Sequence, residues 1–356
     1  MSDSISRREF GGIVAAGAAA AGVGAVSTAR ADEKDEKAKE EIKKTRSYNP
    51  EMKYRRLGKT GLWVSTVCMG GHWKRIDKVG AAREPAFSKN RAEVIARCME
   101  VGINYIDACA GNEVMAYSKA LQGKREQMFF GFSWYEEEMR NAQFRTTEKL
   151  LGTLNKGLKQ SGLEYVDLWR ITLHERGSLH TDAEMEEAMK ALEQAKKEGK
   201  ARFTGVSCHD RPWMTKQIEK YPKQLEVVVT PYTAGSTELP KDSIFEAVKK
   251  CDVGVFGIKP FASNSLFKGD SSPNSPEAEE DSKRARLAIR YILGNPAVTA
   301  PIPGLISTAQ VDNVVKAVKE GPVLTDAESQ ELRLACAEMW ERLPPGYQWL
   351  KEHRCV

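Results

Sequence analysis

The chain has 356 residues, of which 41% are hydrophobic, and its 54 Lys and Arg against 49 Asp and Glu give a formal net charge of +5. The mean hydropathy of −0.48 excludes a polytopic membrane protein, and the apolar and aromatic content excludes a wholly disordered chain. The basic residues form no cluster, so we expect no nucleic-acid binding. The length fits either two domains or one α/β barrel.

The first 31 residues have the pattern of an export signal. Arg7 and Arg8 precede the uncharged run Gly11–Thr28, and Ala29-Arg30-Ala31 follows as an A-x-A cleavage site. Adjacent arginines before a weakly apolar run rich in Gly and Ala resemble a twin-arginine signal. A membrane anchor is the alternative, but the run barely reaches spanning length. We therefore expect a signal peptide over residues 1–31, recognition by the twin-arginine export machinery, a periplasmic or otherwise exported protein, and no stable membrane span after cleavage.

The next segment is dominated by charge. Asp32–Arg46 contains six acidic and six basic side chains among fifteen residues. Such a segment buries little apolar surface. We expect a solvated linker or loose helix over residues 32–50.

From residue 60 onward, short apolar runs predicted as strands alternate with amphipathic patterns predicted as helices. The predicted strands are Trp63–Met69, Asn104–Cys109, Met128–Trp134, Val166–Leu173, Arg202–Ser207, Val227–Tyr232, Val253–Pro260 and Thr299–Ile302. The predicted helices are Arg91–Glu100, Val114–Leu121, Thr146–Lys159, Glu184–Lys197, Trp213–Lys220, Ser243–Lys250, Lys283–Leu293 and Thr308–Val318. Strands joined by crossover helices pair in parallel, and eight such units close into a barrel more readily than they form an open sheet.

We therefore predict an α/β fold, a (β/α)8 TIM barrel over residues 51–325, followed by a helical tail over residues 326–356 that packs on the barrel. No G-x-G-x-x-G follows a predicted strand, which disfavours a Rossmann domain. Barrel chemistry takes place at the carboxyl ends of the strands. There the sequence predicts a substrate pocket with aromatic and imidazole side chains that suit sugars or ring substrates, namely His72, Trp73, Trp134 and His209. The polar stretch from Ser271 to Glu280 is either a lid over this end or a solvated insertion.

Several motifs in this order resemble the aldo-keto reductases. They are Met52–Leu62, Gly102–Asp107, Tyr165–Leu168, Gly205–Ser207, and Asn295–Val298 running into Ile302–Gly304. The resemblance extends over about residues 52–320. It implies a barrel that binds an extended nicotinamide dinucleotide, NAD or NADP, and reduces a carbonyl of a small-molecule substrate.

The resemblance also implies a catalytic set of tyrosine, lysine, aspartate and histidine, of which this sequence keeps a part. Asp107 matches the aspartate, but the segment Asp107–Asn112 is two residues shorter than the family pattern and lacks its tyrosine. The lysine position falls on Ser133 and the histidine position on Thr172. His174 lies two residues further, on the same side of a continuing strand. We therefore assign Asp107 and His174 as catalytic residues of an altered proton relay.

A replacement for the tyrosine is not obvious in the sequence. A phenol with a pKa of about 10 needs a neighbouring cation to serve near neutrality. Tyr117 and Tyr135 lie near the rim, although each is more simply a helix or loop residue.

The expected cofactor contacts follow from the same resemblance. Ser207 matches the serine that binds the nicotinamide amide, and Lys259-Pro260 fits one subgroup of the family. Further matches in the segment expected to hold the adenosine end are Gly304, Ser307, Gln310 and Asn313. Ile306 replaces a basic residue that would pair with a 2′-phosphate, so the sequence favours NAD slightly over NADP.

Two other functions stay open at this point. The incomplete catalytic set allows a barrel that binds a ligand without turnover. His72, His174 and His209, with Cys109, Cys208, Asp107 and Glu113 at the same end, allow a metal-dependent enzyme. The seven cysteines include no C-x-x-C, and no H-x-x-x-H occurs, so we assign no metal ligand.

Overall fold

The computed structural model describes residues 35–236 and 244–352. The expected signal peptide over residues 1–31 lies outside them. The described part falls into two compact units, the first ending at Ile42 and the second beginning at Lys43. Helix α1, over residues 35–43, accounts for the described residues of the first unit, and most of its side chains are exposed. In the range described, no helix is long and apolar enough to cross a membrane.

The end of the expected linker belongs to the second unit. Thr45 Oγ1 donates to Trp63 O at 2.6 Å, and Arg46 Nη1 lies 2.9 Å from the buried carboxylate of Asp167. These partners belong to the strand segments that follow in the chain. Residues 45 and 46 are thus part of the folded barrel rather than a solvated connection.

A short hairpin closes the bottom of the barrel. Strands β1 (Tyr54–Arg56) and β2 (Trp63–Ser65) pair antiparallel, and their connection passes close to the start of a barrel strand. A Cβ at Gly58 would lie 2.2 Å from Gly254 N, and Gly58 has φ +48°, so only glycine fits there. The predicted strand Trp63–Met69 is split in the structure, because its first half pairs with β1 and its second half belongs to the barrel.

The barrel itself is a parallel sheet in sequence order. Its strands are β3 (Tyr105–Ala108), β4 (Phe129–Phe132), β5 (Val166–Thr172), β6 (Ala201–Ser207), β7 (Val227–Pro231), β8 (Gly254–Ile258) and β9 (Ala300–Ile302). The segment Cys68–Gly70 closes the ring, because Cys68 N donates to Pro301 O on one side and Met69 N donates to Tyr105 O on the other. The predicted (β/α)8 barrel is confirmed, with this segment as its first strand.

Helices surround the sheet and continue into the tail. They are α2 (Ala86–Glu100), α3 (Gly111–Ala120), α4 (Thr147–Ser161), α5 (Asp182–Lys197), α6 (Arg211–Lys220), α7 (Ile244–Lys250), α8 (Ala278–Leu293), α9 (Thr308–Glu320) and α10 (Asp326–Glu341). Side-chain caps begin several of them, including a reciprocal Thr181–Glu184 capping box at α5. Their apolar faces bury against the outer face of the sheet.

The inward face changes character from bottom to top. Its lower layers are apolar and contain Tyr105, Leu168 and Phe256. Side chains two residues apart share a face of a strand, so Asp107 stands above Tyr105 and Arg170 above Leu168. The apolar filling supports a polar layer at the carboxyl ends of the strands.

Candidate active site

A cavity of about 500 Å³ opens at the carboxyl ends of the barrel strands. Most of the site residues predicted from the sequence line it together: His72, Trp73, Asp107, Ser207, His209, Lys259, Gly304, Ser307, Gln310 and Asn313. Residues that the sequence reasoning missed also line it, among them Lys74, Arg140, Arg170 and Tyr347.

Asp107 forms a buried ion pair with Arg170 on the floor of the cavity. Arg170 Nε lies 2.9 Å from Asp107 Oδ1, and Nη2 lies 2.5 Å from Oδ2. Burial alone would lower the pKa of the guanidinium, but the Asp107 carboxylate outweighs it and raises that pKa. Arg170 is the cation that the sequence reasoning failed to find. Its signal was a charged residue within the predicted strand Val166–Leu173, on the face that Leu168 and Thr172 share.

The positions where the resemblance implied a lysine and a histidine form a neutral corner beside this pair. The hydroxyls of Ser133 and Thr172 lie 2.8 Å apart, and Ser133 also donates to the buried Glu138. Burial raises the pKa of Glu138 despite these hydrogen bonds. Arg170 Nη1 reaches Thr172 Oγ1 at 3.2 Å, so the positive charge near Asp107 comes from β5 instead of from the end of β4.

His72 and Cys109 are joined through Glu113 at one wall. His72 Nδ1 lies 2.7 Å from Glu113 Oε1, and Cys109 N donates to Oε2 at 2.8 Å. Burial would raise the pKa of Glu113, but the hydrogen bonds from His72 and Cys109 hold it below its usual value. A Cβ at Gly71 would overlap this carboxylate, at 2.0 Å from its carbon. Glu113 thus fixes the strand end Gly70–His72 against α3.

The same trio offers three donor atoms within 4.8 Å of one another. Cys208 and His209, which the sequence left open as further metal ligands, have other partners. Cys208 Sγ donates to His174 O at 3.3 Å, and His209 stacks on Trp349 with ring centroids 4.2 Å apart. The hydrogen bonds to both oxygens of Glu113 give the trio a structural role without an ion.

Two predicted site residues are not among those that line the cavity. Strand β5 ends at Thr172, and the alternation that predicted an inward His174 stops with it. His174 Nδ1 instead accepts a hydrogen bond from Arg176 N at 3.1 Å. Trp134 packs beside α4, where the Lys156 ammonium lies 4.9 Å from its ring centroid.

The two tyrosines considered as replacements for the missing catalytic tyrosine lie in surroundings that do not favour proton donation. Tyr117 is fully buried and donates to Gly70 O at 2.8 Å. Tyr135 lines the cavity, but burial raises the pKa of its phenol, which makes it a weaker acid.

The far end of the cavity lies at the N-terminus of α9. Ser307 caps this helix by accepting a hydrogen bond from Gln310 N at 3.2 Å, and Gln310 Oε1 accepts from Ile306 N at 2.9 Å. Asn313 Oδ1 accepts from Arg286 at 2.7 Å. Amides at a helix N-terminus favour anions such as phosphate. Because one cavity runs from Asp107 and Ser207 to this helix, its residues fit an extended dinucleotide.

Two segments cover the mouth. Ser271, Ser272 and Pro273 of the β8–α8 connection line the cavity, so the polar stretch lies over the site. Asp281 holds this connection by accepting from the amides of Lys268 and Gly269. From the tail, Tyr347 and Trp349 also line the cavity.

Comparisons with known proteins agree with this architecture. The aldo/keto reductase family matches residues 78–335. The chain is 25% identical over 287 residues to L-galactose dehydrogenase of Arabidopsis thaliana, covering 75% of this chain and 88% of that protein. It is 24% identical over 238 residues to L-glyceraldehyde 3-phosphate reductase of Escherichia coli K12, covering 61% of this chain and 65% of that protein.

The fold comparison gives the same result. The structure of aldo-keto reductase AKR11C1 from Bacillus halodurans in its holo form superposes with a TM-score of 0.58 at 23% identity, covering 80% of this chain and 96% of that one. Together with the barrel and its cavity, the match over residues 78–335 establishes that this chain belongs to the aldo/keto reductase family.

Proposed function

We propose that this protein is an exported, nicotinamide-dependent oxidoreductase that interconverts a carbonyl and an alcohol by an altered proton relay. The observation that supports it is a single cavity shared by the Asp107–Arg170 pair, Ser207 and the N-terminus of α9. A non-catalytic ligand-binding barrel does not need that buried charge pair at the reacting end.

Different cavity residues have different proposed roles. Ser207, Lys259 and the first turn of α9 would hold the dinucleotide, which supplies a hydride when bound. Arg170 and Thr172 line the cavity beside Asp107. The Arg170 guanidinium would stabilise the negative charge that develops on the carbonyl oxygen, a contribution that preorganised donors make in many enzymes. Asp107 keeps the guanidinium fixed in place.

The substrate is a small hydroxylated aldehyde or sugar. The names of the two relatives, one a dehydrogenase of L-galactose and the other a reductase of L-glyceraldehyde 3-phosphate, support this class. Trp73 and Trp349 in the lining offer aromatic faces of the kind that pack against sugar rings.

The cofactor preference is for NAD. Ile306 is buried with 3% of its surface exposed and packs with Ile76 and Ala81, so this position supplies no cation for a 2′-phosphate. We expect NADH to quench tryptophan fluorescence saturably and with a lower dissociation constant than NADPH. Equal or tighter binding of NADPH would contradict the preference, and failure of both to bind would contradict the oxidoreductase assignment.

A further inference from the structure

The C-terminal segment brings a tyrosine into the cavity beside two ammonium groups. Tyr347 lies in the short 3-10 helix Pro345–Lys351 and is partly buried. Lys74 Nζ donates to its phenol oxygen at 2.8 Å and also to Ser263 Oγ. The Lys259 ammonium lies 5.6 Å from the centroid of the same ring. Tyr347, Lys74, Ser263 and Lys259 all line the cavity that contains Asp107 and Ser207.

The backbone that holds these groups is unusual. Lys259 and Ser263 both have φ +59°, a left-handed conformation that residues with a Cβ seldom adopt. Such outliers concentrate at functional sites, where surrounding structure enforces them. In the described part of the chain, neither Lys74 nor Lys259 has a salt bridge to a carboxylate, so the phenol is the acidic group that faces them.

We propose that Tyr347 is the proton-donating catalytic residue of this cavity and that Lys74 positions its phenol. This inference rests on the function proposed above. The tyrosine of the family motif, which this chain lacks, would thus be replaced from the tail, some 240 residues further along the chain than Asp107. The Tyr347 phenol approaches from the mouth instead of from the end of β3.

The electrostatics of the phenol support the role. Burial alone would raise the pKa of Tyr347, but the hydrogen bonds from Lys74 and Ser263 and the charge of Lys259 lower it to about 8. Burial lowers the pKa of the Lys259 ammonium. The phenol is therefore protonated at neutral pH and acidic enough to act as a general acid, since catalysis is most efficient when the pKa lies near the working pH.

The proposed step transfers a hydride and a proton to the carbonyl group. A hydride adds to the carbonyl carbon, the carbonyl π bond breaks, and its oxygen takes the proton of Tyr347, giving an alcohol and a phenolate. Lys74 is exposed to solvent, so water restores the proton to the phenolate beside it. In the reverse direction the phenolate accepts the proton of the alcohol.

The first test does not depend on turnover. The ultraviolet difference titration of the wild-type protein against Tyr347→Phe should reveal one phenol that ionises near pH 8. Lys74→Met should move this ionisation to higher pH, and Lys74→Arg should restore it in part. Tyr48→Phe, at an exposed position before β1, is the matched control and should leave the signal near pH 8 unchanged. A Tyr347 that titrates near pH 10 would overturn the pairing.

The second test measures reduction of 4-nitrobenzaldehyde by NADH. Loss of a positioned general acid costs on the order of a hundredfold to ten-thousandfold in rate, so Tyr347→Phe should lower kcat by that factor while NADH affinity changes less than about twofold. In the wild type, kcat/KM for reduction should fall above pH 8 as the phenol loses its proton, and Lys74→Met should shift this limb upward.

Different outcomes of these measurements would contradict the proposed function and the proposed role of Tyr347. Wild-type protein that binds neither NADH nor NADPH would overturn the proposed function, whatever the phenol titration gives. Normal NADH binding with an unchanged kcat in Tyr347→Phe would overturn the role of Tyr347 and leave the proposed function standing.

Discussion

At the residue scale, the site depends on the ion pair between Asp107 and Arg170. Arg170 supplies the positive charge in place of the lysine that the family resemblance implied and this chain lacks. Asp107 and Arg170 are both almost fully buried and make two contacts between guanidinium and carboxylate. Removing one partner of a buried pair leaves the other charge without compensation, which typically costs about 3–5 kcal/mol. Replacing both is far less costly.

We therefore expect Arg170→Met to lower the free energy of unfolding by about 3–5 kcal/mol. The double variant Asp107→Asn, Arg170→Met should lose less than the sum of the two single variants. Urea denaturation of all four proteins gives the coupling energy directly. Additive losses would contradict a direct pair, and retention of activity in the double variant would contradict its proposed role in the reaction.

The same pair marks a limit of the sequence reasoning. Asp107 was predicted at the site because a motif and a strand end coincide there. Arg170 was missed because its partner is 63 positions away in sequence, on β3, and β4 lies between that strand and β5. His174 shows the opposite error, since strand alternation was extended beyond the residue where β5 ends.

At the element scale, α9 combines a capped N-terminus with one end of the cavity. Ser307 accepts from Gln310 N, and Ser307, Ala309 and Gln310 of the first turn line the cavity. Loss of an N-cap hydroxyl costs about 0.5–2 kcal/mol. A cap that also orders a phosphate site should affect binding as well as stability.

We expect Ser307→Ala to destabilise the protein by about 1 kcal/mol and to weaken NADH binding several-fold. Thr325→Ala is the matched control, because Thr325 caps α10 in the same way but does not line the cavity. It should show a similar stability loss with unchanged NADH affinity. Equal binding losses in the two variants would mean that the effect is one of general stability.

The helices and strands were largely predictable at this scale. Each predicted helix within the described range overlaps an observed one, because a sustained amphipathic pattern can bury its apolar face in few other ways. The first strand was predicted as one element and is two. The sequence has no strong turn signal between Ser65 and Cys68, and the change of partner comes from closure of the barrel.

At the scale of the whole molecule, we predict that the protein is exported. The pattern over residues 1–31 lies outside the described residues, so its test is cellular. We expect the full-length chain to reach the periplasm of a bacterial host with a functional twin-arginine pathway. Replacing Arg7 and Arg8 by Lys should retain it in the cytoplasm, as should deletion of the pathway.

Fractionation and N-terminal sequencing of the exported protein measure this outcome. Cleavage after Ala31 is the expected result. Undiminished export of the Lys variant, or of the unchanged chain in a strain that lacks the pathway, would contradict the twin-arginine assignment. An uncleaved chain in the membrane fraction would favour the anchor instead.

The sequence by itself determined the class of fold and the end of the barrel at which the cavity lies. Periodicity defines helices and strands, strand ends define the catalytic end of a barrel, and these are local properties that residues express wherever they fold. His72, Ser207 and Lys259 were placed at this end on that basis, and the start of α9 was assigned from the resemblance to the family.

Only the tertiary structure decided which charges meet. Arg170 on β5 reaches Asp107 on β3, two strands away, and Tyr347 reaches Lys74 from the opposite end of the chain. Such contacts depend on how a closed barrel and its tail are arranged in space. No pattern within a window of sequence records that arrangement, because the partners are distant in the chain and each is an ordinary residue in its own segment.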